Sequence, residues 1–331
     1  MARDRGGLAS AQAGECVSRP FGTDRLTVKH WLHAFRLRTL PLAVSSVIVG
    51  SALAYFADGA CMSTNCFKGS VLVLALLTAV LLQVLSNLAN DLGDHQHGTD
   101  NNARVGPQRA VQSGAITPAQ MERAMLICGA LAFLSGCALI TVALGFTVRT
   151  LFFLLLGIAA IAAAVKYTFG RNPYGYAGLG DISVFLFFGI VGVCGTFYLH
   201  TGMFVPHVLV PAVAFGLLST GVLHVNNMRD IHNDAASGKR TLVVRLGLAK
   251  ARVLHGVLIL GAIVSLVAFT AHIDAGPTTW LFLLAVPVLL VHGWKVWSTG
   301  EPRDLDPQLK VLALTTFLTA LLFALGLILV P

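Results

Sequence analysis

Charged side chains are scarce in this chain. They make up 11% of its 331 residues, against about 25% in a soluble domain, so an ordinary water-facing globular surface is excluded. Strict alternation of apolar and polar residues is missing too. That excludes the closed β-barrel, the other fold that satisfies its own backbone across a bilayer. The six cysteines show no metal-ligand spacing. Cys128, Cys137 and Cys194 fall inside apolar runs, where a thiol acts as a small hydrophobe. Cys61 and Cys66 share one loop, and their spacing leaves both a disulfide and two free thiols open. No small-residue cleavage site follows the first apolar run, which begins too deep for a secretory leader.

What the chain has instead is apolar runs of about twenty residues, the length that spans a hydrocarbon core. Nine can be read, at 39–57, 70–90, 123–144, 149–167, 180–200, 205–225, 253–272, 278–294 and 310–330. The predicted class is all-α, a polytopic membrane protein of nine transmembrane helices. Residues 1–30, rich in Gly, Ala, Ser and Arg, read as a mobile cytoplasmic tail, and residues 31–331 as one helical domain.

Charge then orients the bundle. Every Lys and Arg except Lys68 and Arg149 lies in the tail or in the segments after helices 2, 4, 6 and 8. Basic residues stay on the cytoplasmic side, which puts the N-terminus inside and the C-terminus outside. The net charge of +8 therefore calls for a lipid bilayer with anionic headgroups and for no nucleic acid. No obligate protein partner is evident.

The fifteen acidic residues are concentrated. Asp91, Asp94 and Asp100 follow the second run, in NLANDLGDHQHGTDN. Asp230 and Asp234 follow the sixth, in NNMRDIHNDAASGKRT, and Asp181 opens the fifth. The topology places all six at the cytoplasmic face. Carboxylates crowded at a membrane surface repel one another unless a cation intervenes, and such clusters mark function. Spacings of three and four put each pair on one helical face. Paired carboxylates suit magnesium, which takes one or two of them and completes its octahedron with water and phosphate oxygens. Asn87 and Asn90, and again Asn226 and Asn227, lie one turn back and offer neutral oxygens. Bases follow each pair, Arg104 and Arg109 in one case, Lys239 and Arg240 in the other. Carboxylates, magnesium and bases together form a clamp for phosphate groups. The two segments share this layout 139 positions apart, from Asp91 to Asp230, as in a pseudo-repeat that builds a site at its interface.

Blander readings apply to single residues. A lone Asp pair at a helix end caps or solvates the terminus; two pairs on one face make that reading poor. His95, His97 and His232 read as loop residues, since magnesium prefers oxygen. His224 is open between a satisfied bundle histidine and a substrate contact. Lys166 reads as snorkelling from a helix end, and Arg149 as an interface anchor. The phenylalanines at 185, 187 and 188 read as core or lipid-facing, with cation–π stabilisation as the functional alternative.

These segments resemble the UbiA superfamily of membrane prenyltransferases, and within it the 1,4-dihydroxy-2-naphthoate polyprenyltransferase family. The resemblance covers roughly residues 30–330. It rests on WLHAFRLRTLPLA (31–43), NDLGDHQHGTDNNARVGPQRAVQSGAIT (90–117), NPYGYAGLGDISVFLFFG (172–189) and NNMRDIHNDAASGKRTLVVRLG (226–247). It implies nine helices around a central cavity, with the Asp motifs at its mouth and a lateral opening to lipid. By position, Asn87, Asp91, Asp94, Asp230 and Asp234 match the Mg2+ side, and Lys239, Arg109 and Arg171 the diphosphate side. Asp181 and Tyr174 match positions lining the same mouth. Gly98 stands where the superfamily often has a third Asp, and Asp100 nearby fits the naphthoate branch. Leu37 stands where a Pro is expected.

The implied reaction joins a polyprenyl diphosphate to 1,4-dihydroxy-2-naphthoate. It releases diphosphate and carbon dioxide and gives a demethylmenaquinol for menaquinone biosynthesis at the cell inner membrane. A base is required, and Asp181, Tyr174 and a motif aspartate all remain open. One alternative is the same chemistry on another acceptor, such as 4-hydroxybenzoate or haem. Another is a cation-coupled transporter, whose site would sit near the bilayer midplane.

Overall fold

The computed structural model describes residues 28–60, 67–100, 105–106 and 108–330. The expected tail lies outside the described residues except for its last three positions, which open a helix. Cys61, Cys66 and Arg104 lie outside them as well. Among the described residues the regular structure is entirely helical, and nine segments are long and apolar enough to cross a membrane.

The first span is α1 (Val28–Phe35) and α2 (Leu40–Ala60), separated by a short 3-10 turn at Leu37–Thr39. Then come α3 (Gly69–Gln96), α4 (Pro118–Leu144) and α5 (Val148–Lys166). The fifth span is composite: α6 (Gly180–Val184), a π-helical stretch at Phe185–Gly195, and α7 (Thr196–Thr201). The sixth is α8 (Leu209–Arg229), which leads into the short helices α9 (Ile231–Ala236) and α10 (Leu242–Leu246). The last three are α11 (Leu248–Ile273), a 3-10 stretch at Pro277–Ala285 continuing as α12 (Val286–Ser298), and α13 (Asp306–Ile328).

Two helices run past the ends that the apolar pattern predicts. α3 continues from 90 to Gln96 and α8 from 225 to Arg229. Asp91 and Asp94 therefore sit in the last turns of a helix, not in a loop after it. Hydropathy marks where hydrocarbon ends; the backbone ladder continues wherever the polar side chains find partners. The break in the first span is also sharper than a missing Pro suggests. Arg36 adopts a left-handed conformation, φ 49° and ψ 60°, which costs a non-glycine residue about 1–2 kcal/mol.

α8 is the central post. Phe215, Leu218, Val225 and Met228 on it are fully buried. It packs on α11, on α13 and on the π-helical stretch. That last contact is backbone on backbone. A Cβ built on Gly189 would stand 2.6 Å from the Ala212 carbonyl oxygen and 2.7 Å from Gly216 Cα. Ser46 of α2 donates to the Phe188 carbonyl, satisfying one group of the π-helical segment. Away from the acidic end, Phe323 of α13 gathers Phe215, Phe269 and Phe282 at centroid distances of 5.7 to 6.3 Å. α5 contributes no buried residue and lies at the periphery.

Gly189→Ala should lower the thermal midpoint of the detergent-solubilised protein, by an overpacking penalty of about 1–3 kcal/mol. An unchanged midpoint would mean that α6, α8 and the π-helical stretch can separate without cost.

Candidate active site

The site is built at one end of the bundle from the C-terminal turns of α3 and α8 and the segments that follow them. The 174–178 turn before α6 completes it. Arg109 is the hinge of the first motif. Its Nη2 lies 2.8 Å from Asp94 Oδ2 and its Nε 3.2 Å from Asp100 Oδ1, while Nη1 donates to the Asn90 carbonyl at 2.5 Å. Asp91 accepts the backbone N–H groups of Ala110 and Val111, each at 3.2 Å. The same chain segment is thus held by both aspartates of the pair. Burial opposes charge on Arg109, but Asp94, Asp100, Asp91 and Asp230 outweigh it and raise its pKa. The carboxylates of both motifs are within electrostatic reach of this one guanidinium.

The second motif meets the first through Lys239 and Tyr176. Lys239 Nζ is 3.6 Å from Asp234 Oδ1 and 5.3 Å from the centre of the Tyr176 ring. Tyr176 donates its hydroxyl to Asp94 Oδ1 at 2.8 Å and shares a 2.5 Å hydrogen bond with Thr99. Asn233 donates to the Thr99 carbonyl, and the Arg240 N–H donates to the Tyr176 carbonyl. Burial disfavours the Lys239 ammonium, but Asp94 and Asp234 raise its pKa nonetheless. Burial pushes the Asp234 carboxyl up to about 6; Lys239 opposes the shift, and Asp230 and Asp94 add to it. Burial and the Asp94 charge raise the Tyr176 hydroxyl.

Asp230 is gripped from its own neighbour. Arg229 Nε and Nη2 reach its two oxygens at 2.8 and 2.6 Å, and Nη1 reaches Asp306 Oδ1 at 2.6 Å. A bidentate pair of this kind fixes orientation as well as charge. A cavity of about 310 Å3 opens beside α1, lined by Leu32, His33, Arg36, Leu37, Arg38, Asp91 and Arg109. Its wall carries three guanidiniums against one carboxylate, so it favours an anion.

Gly93 explains why the first motif has a glycine between its aspartates. A Cβ there would lie 2.5 Å from the Thr168 backbone, because the turn that follows α5 crosses α3 at this point. Thr168 donates to Asn90 Oδ1 across the same crossing at 2.8 Å.

Other expected residues take different places. Asn87 donates to the Phe35 carbonyl and to Thr39, and accepts from Gln83; it ties α3 to the break after α1. The Tyr174 hydroxyl donates to the Ala163 carbonyl at 3.0 Å and lies 2.9 Å from Ser183 Oγ. The tyrosine that reaches the carboxylates is Tyr176, two residues on. Arg171 is exposed in the segment before that turn, and His95, His97 and His232 are exposed. Asp181 pairs with His224 at 3.1 Å, the histidine ring being completely buried. Sequence reasoning missed Tyr176, Arg229, Asp306, Arg36 and Arg38. Arg36 and Arg38 were visible as paired bases before the first run. Nothing in the spacing separates Tyr176 from Tyr174.

The donor set suits a hard cation. Asp234 Oδ2, Asn227 Oδ1 and Asn233 Oδ1 are buried oxygens with no hydrogen-bond donor, and such atoms are uncommon without an ion or water to satisfy them. Among the described residues no three Asp, Glu, His or Cys side chains form a complete metal cage. Magnesium takes one or two carboxylates and draws its other ligands from substrate phosphates and water.

The sequence matches the UbiA prenyltransferase family over residues 43–316. The chain belongs to that family. UbiA relatives include the 1,4-dihydroxy-2-naphthoate octaprenyltransferase of Haemophilus influenzae, 45% identical over 91% of this chain and 96% of that protein. The enzyme of the same name from Escherichia coli is 46% identical over 90% of this chain and 95% of that protein. Among solved structures, an apo UbiA homolog from Aeropyrum pernix superposes with a TM-score of 0.66 at 17% identity, covering 88% of this chain and 98% of that one. A UbiA homolog from Archaeoglobus fulgidus bound to GPP and Mg2+ gives 0.61 at 16% identity, covering 90% and 99%. At that identity the likeness shows the fold: an all-α, multi-pass UbiA membrane bundle.

Arg109→Ala should destabilise the protein by about 3–5 kcal/mol, because it strands buried carboxylates. The thermal midpoint measured without substrate should fall accordingly. A midpoint within error of wild type would show that Asp94 and Asp100 do not depend on this guanidinium.

Proposed function

We propose that this UbiA protein transfers a polyprenyl group from polyprenyl diphosphate to 1,4-dihydroxy-2-naphthoate. Diphosphate and carbon dioxide leave, and the product is a demethylmenaquinol of menaquinone biosynthesis. The observation that carries this reading is the high identity, over nine-tenths of the chain, to 1,4-dihydroxy-2-naphthoate octaprenyltransferases. The convergence of two aspartate pairs on Arg109 and Lys239 supplies a site for the chemistry.

Asp91, Asp94, Asp230 and Asp234 would hold Mg2+, and Asn87, whose amide is engaged with Phe35, Thr39 and Gln83, would stand behind them. The ion, when bound, neutralises diphosphate charge and stabilises it as the leaving group. Arg109 and Lys239 would bind the diphosphate oxygens, and Arg36 and Arg38 extend that positive wall along the cavity, whereas the exposed Arg171 would reach them only from outside the mouth. As charge develops on the leaving oxygens, these fixed donors stabilise it without reorganising solvent. Apolar walls of the bundle keep water from the electron-poor allylic carbon. Asp181 stands at the N-terminal turn of α6, one side chain from this centre. Tyr167 lies within electrostatic reach of Asp181 and also of Asp94 and Asp234. Asp181 is the acceptor-side carboxylate that handles the proton of the naphthol. Tyr174 supports the α6 turn through Ser183.

The basic residues support an orientation with the carboxylate end in the cytoplasm and an inner-membrane location, since Lys68 and Arg149 alone mark the opposite end. The transporter alternative loses its footing with family membership and with carboxylates at one mouth.

Asp91→Ala and Asp230→Ala should each abolish turnover of naphthoate and polyprenyl diphosphate in magnesium-supplied membranes. Near-normal rates in either would remove that residue from the metal set. Lys239→Ala should raise the KM for the diphosphate; an unchanged KM with a lower kcat would assign it elsewhere. Purified enzyme offered naphthoate and 4-hydroxybenzoate together should release the prenylated, decarboxylated naphthoquinol by mass. Exclusive prenylation of the benzoate would overturn the acceptor assignment.

A further inference from the structure

His224 is a fully buried ring that joins three spans at the level of the site. It sits on α8, with Nδ1 3.1 Å from Asp181 Oδ1 on α6 and Nε2 3.0 Å from the Ala251 carbonyl oxygen on α11. A carbonyl oxygen only accepts. Nε2 therefore carries a hydrogen and points it at Ala251. That fixes the ring, and with it the place where Nδ1 meets the carboxyl.

Asp181 needs such a partner. It is buried, 6% exposed, and its helix is only five residues long before the backbone widens into the π-helical stretch. A lone carboxylate in such a place is costly. Nδ1 supplies that partner when it too carries a hydrogen, and the hydrogen bond then holds one rotamer of the carboxylate. The other side of the His224 ring is faced by His255, nearly parallel at 12° with centroids 6.2 Å apart. His255 is itself engaged at Nε2 with His292 at 2.9 Å, and His292 with Gln308 at 3.0 Å. The His224 ring is thus supported from behind by a row of side chains on α11, α12 and α13.

We propose that His224 is a positioning residue for Asp181: its Nδ1, braced by the Ala251 carbonyl, fixes the carboxyl in the pose that serves the aromatic acceptor. This rests on the acceptor-side role given to Asp181 above. The competing explanation is structural, that His224 merely ties α8 to α11 through Nε2.

The two explanations call for opposite replacements. Asn places its amide nitrogen where Nδ1 stands and loses the tie to Ala251. Gln reaches toward the Nε2 position and loses the hydrogen bond to Asp181. His224→Ala should lower kcat by about 10- to 100-fold, the loss of one hydrogen bond to a charged group, with the KM for polyprenyl diphosphate unchanged. His224→Asn should restore most of the rate and His224→Gln should not, in protein whose melting confirms folding. The reverse ranking, activity kept by Gln and lost by Asn, would overturn the proposal in favour of the structural tie. Loss in both folded variants would overturn it as well, as would near-normal turnover by Asp181→Ala. Failure of the acceptor assignment shows up differently, as a wild type that prefers another aromatic acid. The ranking is then read with that acid.

Discussion

Four carboxylates buried at one end of a membrane bundle must be neutralised, and the rest of the site is organised around that requirement. In the first pair Arg109 answers it for Asp94 and the Ala110 and Val111 N–H groups for Asp91; in the second, Arg229 does so for Asp230 and Lys239 for Asp234. Each of these pairs is local in the chain; the two motifs are joined by Asn233, which donates to the Thr99 carbonyl, and by Tyr176, which donates to Asp94 and lies under Lys239. Asp94 and Asp230 have charged partners in good geometry, the condition under which a buried ion pair is tolerated, whereas Asp91 is held by two backbone N–H groups and Asp234 keeps one oxygen without a donor. Those partners are the kind that a diphosphate with its cation can recruit. The folded protein is held together at this end by the groups its substrate will use.

Below the mouth, the fold works to hold these groups in place. Backbone-on-backbone packing of the π-helical stretch against α8 leaves no room for a Cβ at Gly189. Gly93 lets the turn after α5 cross α3 between the two aspartates. π-helical turns concentrate at functional sites, and here the stretch begins four residues after Asp181. The left-handed Arg36 places a guanidinium at the cavity wall at the cost of local strain, a cost usually kept only where the side chain has a use.

Much of this was legible in the sequence. The nine spans followed from hydropathy, and the two Asp pairs stood out because a membrane chain has few charges to spend on anything but function. The UbiA motifs then named the chemistry. Helix ends were misjudged because hydropathy reports the bilayer and not the hydrogen-bond ladder, so Asp91 and Asp94 read as loop residues. Tyr176 escaped because PYGY offers two tyrosines in one turn, and only the three-dimensional path decides which hydroxyl reaches Asp94. Arg229 escaped because a base next to Asp230 in sequence gives no sign that it grips that very carboxylate. His224 stayed ambiguous until its neighbours on α6 and α11 were known.

The contrast between α5 and α8 has a consequence for how this chain tolerates change. α5 has no fully buried side chain, so along its lipid side one branched or aromatic hydrophobe serves as well as another, while Ile161, Ala164 and Val165 pack against the cluster of α3 and α4. α8 is enclosed by α11, α13 and the π-helical stretch, so volume, shape and the absence of a Cβ all matter along its length. Two helices of nearly the same hydropathy thus obey different rules. Substitutions should accumulate freely on the first and be confined on the second to residues that keep the same volume.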